Sequence, residues 1–223
     1  MLSTAPILGT LTLLGHSNNT TVNLGNAGSV QDINGNLTIA NPPWYTTVNV
    51  DDSNDPTGQT VTLSNATIGG QVYGEISGLA PANIFYKLQD TASVTINGGT
   101  GGNVFQIEDV GTSVFTNVPV TINGGSGSNI FRVGQAAELL ANIYDTLYLN
   151  GSGSDILEFF DQNHSGPETY TFDSIPSNLT LATDPLFICN FTGMASVYLE
   201  TNLDPSNVIN DASSSVLVDV PAP

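Results

Sequence analysis

A strand–turn–strand pattern recurs three times in this chain at a nearly constant interval. The first copy is Val94-Thr95-Ile96-Asn97-Gly98-Gly99-Thr100-Gly101-Gly102-Asn103-Val104-Phe105-Gln106-Ile107. The second runs from Val120 through Asn123-Gly124-Gly125-Ser126-Gly127-Ser128-Asn129 to Val133. The third, Leu147 to Phe159, is one residue shorter. Asn97, Asn123 and Asn150 are separated by 26 and 27 residues. A period in that range marks stacked units, none of which can bury its apolar face alone.

The phase of the pattern holds as well as its length. Phe105, Phe131 and Leu157 fall in step, as do Ile107, Val133 and Phe159. Between them stand Gln106, Arg132 and Glu158. Successive strand residues point to opposite faces, so a 26-residue step keeps one ladder inward and one outward. The expected fold is all-β, a parallel β-helix with rungs of about 26 residues and roughly eight rungs in all. An antiparallel β-sandwich is the alternative, and it does not require that phase.

A longer period is superimposed. Leu11–Leu24 matches 120–133 with a shift of 109, which also brings Asp52 onto Asp161. Leu37-Thr38-Ile39 falls on Leu147-Tyr148-Leu149 with a shift of 110, and Ala92–Ile96 on Ala195–Leu199 with a shift of 103. Residues 1–220 therefore read as a single solenoid domain of two long repeats, about 11–119 and 120–220, each of about four turns. Residues 221–223 read as the start of a linker. Gln135–Asn142 is the one run of helix formers, expected as a short turn between rungs. Val216–Val220 is expected as a last strand.

Charge narrows function. The chain has two basic residues against 20 acidic ones, a net charge of −18. Nucleic acid and anionic membrane surfaces both require clustered cations, so both are excluded as partners. Cys189, the single cysteine, sits between Ile188 and Asn190 and reads as a small buried hydrophobe. Met1-Leu2-Ser3-Thr4 lacks the positive region of a secretory signal, and Ile7–Leu14 is too short to span a membrane. An exported form would need a signal outside these residues.

Three segments together carry a resemblance: Val48–Pro56, with Asp51-Asp52-Ser53-Asn54-Asp55; Gly74–Ala82, with Gly78-Leu79-Ala80-Pro81-Ala82; and Val94–Phe105. They resemble a repeat of very large secreted or surface-attached bacterial proteins, in which "DDS-D", "GLAPA" and "INGGxGxN" segments recur in that order. The resemblance covers most of residues 11–160 and implies a β-solenoid in an extracellular array. The glycine turns also resemble the calcium-binding nonapeptide of RTX proteins. Two copies replace the ligating aspartate by Asn103 and Asn129, and only Asp155 keeps it.

Candidate sites follow from these residues. Asp51, Asp52, Asp55, Asn103, Asn129 and Asp155 are the candidate calcium ligands, because that ion takes six to eight oxygens. The competing account stacks Asn97, Asn123 and Asn150 in an amide ladder. Tyr148 and Tyr198, both in the outward phase, are candidate glycan contacts at the positions of Thr95 and Thr121. Catalysis is not expected. Asp51 and Asp52 point to opposite faces and make a poor acid–base pair, and His16 and His164 read as turn residues. Lys87 and Arg132 are the only candidates for a lyase base, and Arg132 is expected to pair across rungs. The expected function is a non-enzymatic structural or adhesive module of a large extracellular or cell-surface protein, with no cofactor. Its partners would be neighbouring repeats and a glycan or surface protein. A calcium-dependent module and a carbohydrate-binding or carbohydrate-active β-helix are the alternatives.

Overall fold

The computed structural model describes residues 10–114, 118–174 and 177–212, and the backbone of 216–219. In chain order the strands are β1 (Leu11–Leu14), β2 (Thr20–Leu24), β3 (Leu37–Ala40), β4 (Thr46–Asp51), β5 (Thr60–Ile68) and β6 (Gln71–Ser77). Then come β7 (Ile84–Lys87), β8 (Thr91–Asn97), β9 (Val104–Ile107), β10 (Val120–Asn123), β11 (Ile130–Val133) and β12 (Leu147–Asp161). The last are β13 (Thr169–Ser174), β14 (Ser177–Leu181), β15 (Ile188–Thr201), β16 (Val208–Asp211) and β17 (Val216–Asp219). Residues 1–9 and 220–223, including the linker expected at 221–223, lie outside the described residues.

The fold is a parallel β-helix with three faces. The second face stacks β2, β4, β8, β10, the start of β12 and the start of β15, all parallel. The third stacks β5, β9, β11, the end of β12, the end of β15 and β17. The first carries β1, β3 and β7, then the single bridge Val110–Ile143, then β13 and β16. Parallel ladders of this kind do not occur in the antiparallel sandwich, so that alternative falls away.

The 26-residue step appears directly as register. Val94, Val120 and Leu147 stack, as do Ile96, Ile122 and Leu149. Phe105, Phe131 and Leu157 stack on the neighbouring face. All of these are buried, and the Phe105 and Phe131 rings lie 5.2 Å apart and nearly parallel. The outward Arg132 pairs with Glu158 on the next rung, Nε to Oε2 at 2.8 Å. Cys189 is buried between Leu147 and Leu179, and burial pushes its thiol up. The helix formers of 135–142 give only a 3-10 turn, Leu140–Asn142.

Among the described residues seven turns are traced rather than eight, because two of them are lengthened. Between β5 and β7 the chain runs out and back through β6, antiparallel to both. Between β13 and β15 it does the same through β14. The β5–β6 arm closes on Gly69 and Gly70, both at positive φ, as the tight hairpin turn requires.

These excursions reveal a duplication of the whole pairing scheme. β10 and β11 stand to the two ends of β12 as β1 and β2 stand to β3 and β4. The ends of β12 pair with the ends of β15 as β3 pairs with β7 and β4 with β8. The antiparallel run β5–β6–β7 has its counterpart in β13–β14–β15, and β5 on β9 becomes β13 on β16. Yet β1 lies on the first face and β10 on the second. The long period is therefore not four whole turns. Counting β1, β2, the segment 29–33, β3, β4, β5, β7, β8, β9 and Val110, one unit has ten sides. On a three-sided helix ten sides make three turns and a third, so the second unit is rotated by one face.

Candidate functional site

The Asp51–Asp55 corner separates its carboxylates. Asp51 is outward and accepts the Ser53 N–H at 3.3 Å. Asp52 is fully buried and accepts the Val30 N–H at 3.0 Å and the Gln31 amide at 3.2 Å. Asp55 accepts the Thr57 N–H at 2.9 Å and the Gln59 amide at 3.0 Å. Of the three, Asp52 fastens another rung, whereas Asp51 and Asp55 accept bonds from residues two to four positions on in the same corner.

The second unit rebuilds this corner. Asp161 accepts the Leu140 N–H at 2.9 Å, as Asp52 accepts that of Val30. The Asn54 amide donates to Ala27 O at 2.8 Å, and the Asn163 amide donates to Ala137 O at 3.0 Å. Ala27 and Glu138 share a positive φ, 52° and 50°. Asp55 and Gln59 are replaced by His164 and Glu168. His164 Nε2 lies 3.1 Å from Thr183 Oγ1 and 3.6 Å from Glu168 Oε2. The buried Glu168 also accepts N–H groups of Thr169, Ala182 and Thr183, and Tyr170 donates its hydroxyl to Asp161 at 2.8 Å. The role of Glu168 left no sequence signal, because it stands where the first unit has glutamine.

Two amide ladders run along the turn between the second and third faces. In the outer ladder Asn123 donates to Asn97 Oδ1 at 2.7 Å and Asn150 to Asn123 Oδ1 at 2.8 Å. The inner ladder is buried and consists of three candidate calcium ligands. Gln59 N–H donates to Asn103 Oδ1 at 3.0 Å, Asn103 N–H to Asn129 Oδ1 at 2.9 Å, and Asn129 N–H to Asp155 Oδ1 at 2.7 Å. The amides of Asn103 and Asn129 add a second bond each along the same line, both at 3.1 Å. Asp155 Oδ2 accepts the Ser152 N–H at 2.7 Å. These oxygens hold consecutive rungs together. Asn207 repeats the motif in the second unit by accepting the Glu168 N–H at 2.9 Å.

The glycines that resemble an ion-binding turn have a steric reason. A Cβ on Gly125, whose φ is +91°, would meet Gly99 O at 2.0 Å. A Cβ on Gly127 would meet Gly101 O at 2.5 Å. Backbone of one rung lies directly on backbone of the next, and only glycine fits.

The two candidate glycan tyrosines do not share a face. Tyr148 is opposite Thr121 on the second face and is 43% exposed. Tyr198 is opposite Glu158 on the third and is half-buried. The unit rotation moved it off the Thr95–Thr121 line where the sequence shift of 103 had put it. Tyr148 instead borders a groove of about 310 Å³ with Pro119, Tyr144, Asp145, Thr146, Pro185, Leu186 and Ile188.

Among the described residues no helix is long and apolar enough to cross a membrane, and no group of three or more His, Cys, Asp or Glu side chains is arranged to hold a metal ion. Comparison with protein families, with curated proteins and with solved structures found no match.

Burial sets a pH dependence. It pushes Asp109 up to about 6, against one hydrogen bond from Asn65 at 2.8 Å. It also raises Asp52, Asp161 and Asp184, whereas the Thr57 N–H lowers Asp55. A carboxyl raised on folding keeps a proton that the unfolded chain releases, so stability falls as pH rises from the unfolded value through the folded one. The chain should therefore melt at a higher temperature near about pH 5 than near about pH 7.5. Asp109→Asn should flatten the part of that slope below about pH 6. Thermal melts of both proteins across this range check it, and a slope equal in both would remove Asp109 from the account.

Proposed function

We propose that this chain is a non-enzymatic structural and adhesive module of a large extracellular or cell-surface protein. The observation that carries the reading is the duplicated strand scheme, in which a second unit continues the stack of the first without a break. A unit built to be continued by its own kind supplies length. The ladders supply stiffness, and the net charge of −18 keeps neighbouring rods apart. Support against a catalytic role comes from Asp52, Asp155 and Asp161, whose oxygens are engaged in joining one rung to the next, and from Asp55, which accepts N–H groups of its own corner.

Far-UV circular dichroism melts in calcium and in excess chelator test the reading. Coincident melts support a self-sufficient rod. A melt raised by calcium overturns it in favour of an ion-dependent module, because ion binding to the folded state adds to its stability. Asp51, Asp52, Asp55, Asn103, Asn129 and Asp155 would then be the ligands to substitute.

A further inference from the structure

The outward side of the second face differs from the rest of this acidic molecule. One row across its six strands reads Asn23, Asn49, Thr95, Thr121, Tyr148 and Asn190. The adjoining row reads Asp51, Asn97, Asn123, Asn150 and Thr192. Of the 20 acidic residues only Asp51, at one end, stands in these two rows, and neither basic residue does. The third face, by contrast, sets Arg132, Glu158 and Glu200 outward.

The face is also ordered. The Asn49 amide donates to Asn23 Oδ1 at 2.8 Å, and the Asn97–Asn123–Asn150 ladder continues to the Thr192 hydroxyl at 3.3 Å. Parallel strands space these groups at about 4.8 Å, giving a regular row of amides and hydroxyls. The Tyr148 groove opens on the same face. Pro119, Thr146 and Ile188 each stand one residue before a paired strand position, and the loop 182–187 supplies the far wall through Pro185 and Leu186. Leu186 is 41% exposed, close to the value for Tyr148.

We propose that this face, from Thr95 to the Tyr148 groove, binds an uncharged polysaccharide. The inference rests on the reading of the chain as an adhesive module and names what it adheres to. A sugar ring offers an apolar C–H side and a rim of hydroxyls. Tyr148 and its proline and leucine neighbours fit the first, and the Thr and Asn rows fit the second. Charge selects within the class. An anionic polymer is repelled by a molecule of net charge −18, and a cationic one finds its counter-charges on the other faces.

Native affinity electrophoresis tests the proposal, in gels containing hydroxyethyl cellulose, a galactomannan or a β-1,3-glucan, with polygalacturonate as the anionic comparison. The chain should be slowed in at least one neutral gel and in no anionic one. Tyr148→Ala and Thr121→Glu should each raise the dissociation constant about tenfold, whereas Arg132→Gln, on the third face, should leave it unchanged. No retardation in any neutral gel, equal retardation of all four proteins, or retardation in polygalacturonate alone would each overturn the proposal. Circular dichroism melts on the same samples separate the two readings: loss of glycan binding with unchanged, calcium-independent melts removes the polysaccharide and leaves the rod.

Discussion

Phe131→Ala is expected to destabilise the fold by about 3–5 kcal/mol. Phe131 is fully buried, and its ring stacks on Phe105 at 5.2 Å. On its other side it faces Leu157 across the next rung. Removing the ring leaves a void between two rungs whose backbones are already in contact at Gly125 and Gly127, so the stack cannot close over it. The junction between the two units also passes through this residue, since β11 rests on β9. Urea unfolding followed by circular dichroism gives the value. A loss below about 1 kcal/mol would mean that the rungs collapse freely and that the stack is much softer than described.

Asn129→Ala comes next, at about 2–3 kcal/mol, and its comparison with Asn123→Ala is the sharper test. Both residues are ladder asparagines, six positions apart on the same rung. Asn129 is buried, and its Oδ1 is the acceptor for the Asn103 N–H, which would be left buried without a partner. Asn123 is half-buried, and water can replace the amide bonds that it makes to Asn97 and Asn150. Its loss should therefore cost less than about 1 kcal/mol. Equal losses for the two variants would sink the distinction between a buried and a solvated ladder. Asp155→Asn, which preserves an acceptor for the Asn129 N–H at the same place, should be far milder than Asp155→Ala.

The short period was legible because it is written twice, once in the apolar ladder and once in the turn. Phe105, Phe131 and Leu157 had to stack if the phase meant anything, and they do. The outer asparagine ladder was legible for the same reason. The inner one was hidden by its chemistry, since Asn103, Asn129 and Asp155 stand where an ion-binding turn would carry ligands. Only the folded chain reveals these oxygens as acceptors for the preceding rung's N–H groups. The long period was visible in the shift of 109, but not its fractional turn. A sequence offset counts residues, whereas the face on which a strand lands depends on how many corners lie between, and the arms through β6 and β14 add residues without adding faces. Tyr198 was misplaced for that reason. His164 lies in a turn, as its sequence context indicated, but Glu168 was missed because its counterpart, Gln59, differs in chemical type.

The third of a turn left over in each unit acts like the offset of successive lobes on a camshaft. Whatever one unit points north, the next points a third of the way round, and a fourth would restore the original bearing. The β5–β6 arm and the β13–β14 arm already leave the shaft in different directions. A shaft extended by the same rule would meet its surroundings evenly from every side, with no back and no front.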